Sequence, residues 1–336
     1  MTTAHDTSNP NLRDLVKAKN PDGSQAKIVE ALLKQSPVLN YVTFIEGNLD
    51  TGHRVTTETS IPSIGYRSFN EGVETSKFTT GQFDETCGMM EGHSQLDVEL
   101  AALHANDAGY RAQRDMRFMR AFNYEFETGF FYNSTAASPK KWNGLAPRYN
   151  QLAGGANPYA NQCIDSSVAG GTGNDQTSVW LVCFSPDTVF GITPKGSTSG
   201  ITHRDMGVQM VTDAANNRFA AYETIWNWKV GLVVADGEAV VRIANVDTGS
   251  IVKTGQLLID DMTTAFFRLR NPKAGRCVWF VNRLVNEYLF NQARGMVSSS
   301  TLSIKDDIET GTPLVHFMGI PIAVSDHILN TEAPIA

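Results

Sequence analysis

The chain has 336 residues, with 28 Lys plus Arg against 35 Asp plus Glu and a formal net charge of −7. At roughly 100–200 residues per domain, that length allows one large domain or two to three small ones, and 41% apolar with 19% charged residues excludes disorder as a whole-chain state. The acidic balance argues against a protein that grips nucleic acid through bulk charge, and no apolar run approaches the ~18 residues of a membrane helix.

Residues 1–10 are polar, so no secretory signal is expected, and residues 1–25 read as an arm broken by Pro10, Pro21 and Gly23. Residues 26–35 (AKIVEALLKQ) place Ile28, Ala31 and Leu32 at helical spacing, with Ser24 as N-cap and Ser36-Pro37 as the stop. Residues 47–85 differ from the rest. Nine of these 39 are apolar, 23% against 41% for the chain, and nine are charged. Such a stretch cannot bury a core of its own. It is nevertheless rich in Thr, Ile, Phe and Tyr, with turn residues at 70–72. That pattern predicts a two-stranded ribbon with strands of ~15 residues, about 50 Å long. An isolated hairpin of that length is marginal in water, so a neighbouring molecule is its natural partner.

Ser94 is placed to cap a short helix over 96–104, and residues 107–131 predict a long one. Ala108, Ala112, Met116, Met119, Phe122, Phe126 and Phe130 fall within about 120° of one another on a helical wheel, over a length of ~37 Å. Arg111, Arg114, Arg117 and Arg120 lie opposite, interleaved with Tyr110, Phe118 and Tyr124, more aromatic than a solvated face requires. Residues 133–175 are loop-like. Strands are expected at 178–184, 221–235, 239–246 (after a turn at Asp236-Gly237), 276–281, 301–305 and 314–325, the last interrupted or at an edge because of Gly319 and Pro321. Helical spacing recurs at 255–270 and 283–294. No repeat is visible at periods of 20–50 residues.

The chemical inventory is sparse. His5, His53, His93, His104, His203, His316 and His327 show neither H-x-H nor H-E-x-x-H spacing. The cluster Gly170-Gly171-Thr172-Gly173 lacks a P-loop ending and follows no strand, so it reads as a flexible loop. There is no G-x-S-x-G, and Cys87 has no local base. The pairs Asp260-Asp261 and Asp306-Asp307 read as helix starts and turns before a cation site. Cys87, Cys163, Cys183 and Cys277 are far apart with no C-x-x-C pair, which argues against a disulfide framework or zinc knuckle and for a reducing compartment. For the four helix arginines, ion pairing within or between molecules is the first reading, a solvated face the second and DNA contact the last. No catalytic, cofactor-binding or metal-binding residue is expected, and a chain of this size with an unsupported ribbon points to assembly rather than catalysis.

Nine segments in order carry a resemblance: EGNLDTGHR (46–54), GVETSKFTT (72–80), ETCGMMEG (85–92), YRAQRDMRFMRAFNYEFETGFFYN (110–133), NGLAPRYN (143–150), VWLVCFSPDTVFGITPKG (179–196), WNWKVGLVV (226–234), VVRIANVDT (240–248) and GIPIAVSD (319–326). Together they resemble the major capsid proteins of short-tailed double-stranded DNA phages, over about residues 28–328. The resemblance implies the α+β fold of the Hong Kong 97 phage (Johnson fold). On that reading 1–46 is an N-terminal arm and 47–91 an extended E-loop lying on a neighbouring subunit. Residues 92–149, with the long spine helix, form a peripheral domain that 300–336 completes, and 150–299 form an axial domain.

The implied function is a structural subunit of an icosahedral shell, assembling through hexamers and pentamers around double-stranded DNA without sequence-specific binding. His53, Arg54, Arg67, Lys77, Arg111, Arg114, Arg117 and Arg120 are the candidate intersubunit contacts. A separate scaffolding protein is expected, since no long helical N-terminal extension is visible, along with a portal, while the presence of a decoration protein is left open; no membrane and no cofactor are expected. Assembly would occur in the host bacterial cytoplasm and the product would be the virion capsid. In one member of this fold class an E-loop lysine bonds covalently to a neighbour's asparagine. Lys77 is the only lysine of this ribbon, but nothing marks it as activated, since a lysine needs desolvation to become a nucleophile. Two alternatives remain at this point: a cell-encoded nanocompartment shell protein of the same fold, and a soluble enzyme with an unrecognised site.

Overall fold

The apolar run SVWLVCF lies in the strand Gln176–Phe184, which is buried at every position. A continuous run of this kind is what a strand covered on both faces requires. In the computed structural model, residues 34–102, 107–166, 175–197, 200–213, 216–249, 255–295, 302–306 and 313–335 are described. The predicted helix at 26–35 lies outside the described residues up to 33, and its last two residues, 34–35, carry no helix. His5, His104, the glycine cluster at 170–173, Asp307 and the side chain of Arg111 also lie outside the described residues.

The strands in chain order are β1 (Phe44–Glu46), β2 (Gly52–Ser60), β3 (Thr79–Thr86), β4 (Gly88–Asp97), β5 (Cys163–Asp165), β6 (Gln176–Phe184), β7 (Val189–Thr193), β8 (Thr202–Thr212), β9 (Arg218–Val234), β10 (Val240–Asp247), β11 (Arg276–Val281), β12 (Leu302–Asp306), β13 (Pro313–Phe317) and β14 (Ile320–Val324). The helices are α1 (Val98–Ala102), α2 (Asp107–Tyr132), α3 (Gly255–Arg268) and α4 (Arg283–Gly295). Twelve strands form one sheet along the path β12-β13-β14-β11-β6-β7-β9-β4, with β1, β5, β8 and β10 attached at its sides; β2 and β3 form a separate two-stranded ribbon. The fold is mixed α+β, dominated by strands.

The central strands show how the core is built. Trp180 and Phe280 sit opposite each other on β6 and β11, and so share one sheet face. Their rings meet Phe130 and Phe131 of α2, which packs on that face. Leu181 and Trp279 point the other way and are equally buried. Leu258, Met262 and Ala265 of α3 and Val285 and Leu289 of α4 join the same core.

Five readings need correction. The ribbon strands are 9 and 8 residues long, not ~15, because pairing stops at Ser60 and Thr79 and residues 61–78 carry no strand. The turn is at the expected place, with Asn70 left-handed at φ 64°. Ser94 is not a helix cap: it is buried in β4, which pairs with β9 as far as Asp97, and Asp97 accepts from the Glu99 amide instead. The short helix is therefore Val98–Ala102. Of the stripe side chains that are described on the long helix, Phe122, Phe126 and Phe130 are enclosed, whereas Met116 and Met119 are 57% and 46% exposed. Finally, Asp260 and Asp261 lie within α3 rather than at its start.

Candidate assembly surface

The ribbon is rigid at its root and bare beyond it. At the root, Val55 and Phe83 pack with Phe190, Ile192 and Val233 of the main sheet. Gly52 meets the facing strand so closely that a Cβ there would fall 1.9 Å from the Glu85 carbonyl oxygen. Glu85 is buried and forms a bidentate pair with Arg148, whose Nη2 donates to Oε2 at 2.7 Å and whose Nη1 donates to Oε1. Arg148 also donates to the carbonyls of Asn143 and Gly144, so it is fully engaged. Asn48 accepts from the Arg54 amide at 2.6 Å and donates to its carbonyl at 2.9 Å.

Past the last strand pair, Ile61, Ile64, Tyr66, Phe69, Val73 and Phe78 are exposed, Ile64 and Phe69 almost completely. A monomeric protein scatters single exposed apolar residues, but six within one 18-residue segment form a patch that marks an interaction site. No described residue covers them.

The predicted contact residues divide by environment. Arg67 and Lys77 are exposed on this bare segment. Arg54 donates to both Asp84 oxygens across the ribbon, at 2.6 and 2.7 Å, and these bonds hold the Asp84 carboxyl below its usual value. His53 turns inward, edge-on to Phe190 at 5.6 Å, and burial lowers its pKa. On α2, Arg117 is exposed, Arg120 is half-buried, and Arg114 reaches the Gln95 carbonyl at 3.2 Å. The ribbon residues and the helix arginines thus occupy two separate surfaces. Phe118 lies over Gly92 and packs against the core, which accounts for an aromatic ring among the arginines.

A buried polar junction fixes the inner end of the N-terminal segment, and sequence reasoning missed it. Residues 34–38 run between α2 and residues 325–327. The Gln35 amide donates to Asp326 at 2.9 Å, and Gln35's carbonyl accepts from the Asp326 amide at 3.2 Å. The Lys34 amide donates to the Tyr124 hydroxyl at 3.0 Å. His327 lies between the hydroxyls of Ser36 and Thr128, at 3.1 and 2.9 Å. Glu127, wholly buried, accepts from the Val38 amide at 3.4 Å and from the Ser325 hydroxyl. Burial raises the Glu127 carboxyl to about 7, and burial lowers His327 to about 4. Arg283 donates to Asp326 at 2.7 Å and closes the set.

A second buried group holds the end of the described chain. Glu332 accepts from Arg242 at 2.8 Å, from Ser178 at 2.5 Å and from Tyr132 at 2.5 Å. Arg242 also lies over the Trp180 ring, 5.0 Å from its centroid. Hydrogen-bonded charges of this kind are those tolerated in a core. None of these residues forms a metal-ligand cluster among the described residues. Burial pushes the Cys87 thiol up to about 12, which suits an inert side chain rather than a nucleophile.

The ribbon, the long helix and the large sheet together make one mixed α+β fold. The chain belongs to the family described as Major capsid protein GP7, whose sequence profile matches residues 20–336. It is similar in fold to a chain in the structure of bacteriophage Epsilon15, with a TM-score of 0.76 and 24% identity over 99% of each chain. It also resembles the bacteriophage JBD30 capsid, with a TM-score of 0.54 and 11% identity over 93% of this chain and 97% of that one. No curated protein sequence matches it significantly. The family decides between the readings left open by the sequence: this is a structural subunit of a phage capsid and a component of the virion, not a nanocompartment shell protein.

Proposed function

We propose that the subunit assembles through hexamers and pentamers, with the bare segment 61–78 of each ribbon lying on the next copy. The observation that carries this reading is the contrast between a ribbon root locked by Glu85–Arg148 and six unpartnered apolar side chains beyond it. On this reading 1–46 is the arm, 47–91 the E-loop, 92–149 and 300–336 the peripheral domain, and 150–299 the axial domain. Arg67 and Lys77 contact the neighbour directly, Arg54 and His53 stiffen the ribbon, and Arg111, Arg114, Arg117 and Arg120 offer a second contact face on the spine helix. Lys77 has no activating environment and contributes charge rather than a covalent bond.

Assembly takes place in the host cytoplasm with a separate scaffolding protein and a portal as partners. The shell encloses double-stranded DNA without reading its sequence, and a charge of −7 per copy keeps the wall from trapping it. The subunit acts without catalysis or cofactor.

Limited proteolysis tests the ribbon's role. Trypsin should nick unassembled subunits rapidly at Arg67 and Lys77, because local opening of such a segment costs little, and shells should be protected. Arg54, held in β2 by pairing and by Asp84, should be cut later. Arg117 and Arg120, on a regular helix, should resist in both states. Equal cutting of the ribbon in subunits and shells would refute its place between copies.

A further inference from the structure

Two of the four cysteines, far apart in sequence, are direct partners in the sheet. Cys183 on β6 and Cys277 on β11 sit opposite each other in the antiparallel register. Residues so paired have Cα atoms about 4.5–5.5 Å apart, within the range of about 4.4–6.8 Å that a disulfide spans. Both side chains lie on the sheet face away from α2, since Phe280 and Trp180 take the other face. The Cys277 S–H has two acceptors in reach, the Cys183 sulfur and the Pro272 carbonyl at 3.2 Å.

Cys183 is fully enclosed and Cys277 is 8% exposed, so the pair is reached by a small molecule from the Cys277 side. It sits where β6 ends and β11 begins, beneath residues 271–276, which are exposed apart from half-buried Pro272. Gly275 brings this loop onto the strand end: a Cβ there would fall 2.1 Å from the Phe184 carbonyl oxygen. Hydrogen bonds from Cys277 and from the Gly275 amide favour the thiolate at Cys183, while the bond to Cys183 and burial raise the Cys277 thiol. Cys87 and Cys163 have no such partner, and burial raises both thiols.

We propose that Cys183 and Cys277 form a redox-active dithiol that stays reduced during assembly and closes to a disulfide when the particle meets an oxidising medium. The oxidant is a small disulfide of the glutathione class. One protein thiolate attacks a sulfur of the oxidant, forming a mixed disulfide and expelling one small thiolate. The second protein thiolate then attacks the protein sulfur of that mixed disulfide and expels the other. Both protein thiols are oxidised, the small disulfide is reduced to two thiols, and the two protein protons end on the leaving groups. The bond would tie β6 to β11 and close a long loop of the chain, which restricts the unfolded state.

The test uses purified full-length shells treated with oxidised glutathione, followed by alkylation and intact-mass measurement. The expected result is loss of two alkylatable thiols per chain, with a peptide link that includes Cys277, reversed by dithiothreitol. Trypsin leaves Cys163 and Cys183 in one peptide, so variants make the assignment: Cys163→Ala should keep the link and Cys183→Ala should lose it. Fragmentation of the linked wild-type peptide gives the same assignment without a variant. Oxidised shells should also melt at a higher temperature than reduced ones. Four alkylatable thiols after treatment, or a link through Cys87 or Cys163, overturns the proposal.

Discussion

Glu127→Gln isolates the charge at the arm junction while keeping its shape. The native carboxyl titrates near 7, above its ordinary 4.5, because burial outweighs the bonds from Ser325 and Val38. Between those values the native chain holds a proton that the unfolded chain has released. Stability from this group is therefore present below pH 4.5 and lost as pH rises towards 7, by about 3 kcal/mol in total at about 1.4 kcal/mol per unit. His327 works in the opposite sense. Its value is lowered from 6.5 to about 4 by burial and by Lys34, so its contribution is lost as pH falls through that window. Asp326 and Glu125 oppose the His327 shift, and Asp326 adds to the Glu127 one. From pH 4.5 to 6.5 the two slopes nearly cancel, and above 6.5 only the Glu127 slope remains. The glutamine variant has no such slope. Urea unfolding of the free subunit at pH 4.5 and 8 should show the variant-minus-native difference growing by about 3 kcal/mol in the variant's favour. Hydrogen exchange at the Val38 amide should quicken with pH in the native chain and less so in the variant. A difference that stays constant with pH would show that Glu127 is ionised throughout and would refute the argument.

Two further substitutions test the scaffold around the assembly surface. Phe126 contacts Phe44, Trp142 and Trp228 and is fully buried; Phe126→Ala should cost about 3–5 kcal/mol in denaturant unfolding, and Phe126→Asp should yield no soluble folded subunit. Glu85→Gln leaves Arg148 buried with half its pair, so the ribbon root should weaken by up to about 3–5 kcal/mol; faster tryptic release of residues 61–78 with an unchanged core melt is the expected readout.

The sequence was most legible where burial inside this one chain decides the conformation. The runs at 178–184 and 276–281 became β6 and β11 with nearly the expected bounds, because a strand covered on both faces must be apolar throughout. The helix at 107–131 was legible from its period. In contrast β8 gave no signal: most of its residues are exposed, so neither alternation nor an apolar run marks it. The pairings Glu85–Arg148, Arg242–Glu332 and Cys183–Cys277 were invisible because each joins residues far apart in sequence, and only strand register or chain return brings them together.

The misread positions share a physical cause. Met116 and Met119 continue the apolar period of α2, and Ile61, Ile64 and Phe69 look like strand residues, yet all five are exposed in the isolated chain. Periodicity and β-propensity report which side of a segment is apolar, and not whether this chain covers it. An apolar side left bare in a soluble monomer is costly, whereas a shell subunit has other copies available to cover it. The exposed helix methionines, expected in the core stripe, and the ribbon residues, expected to need a neighbour, are therefore the ones to examine as intersubunit contacts. They lie on two separate elements, the ribbon segment and the first half of the spine helix. A shell in which each copy both gives a ribbon and receives one needs two such surfaces on every subunit, because a heterologous contact joins unlike patches.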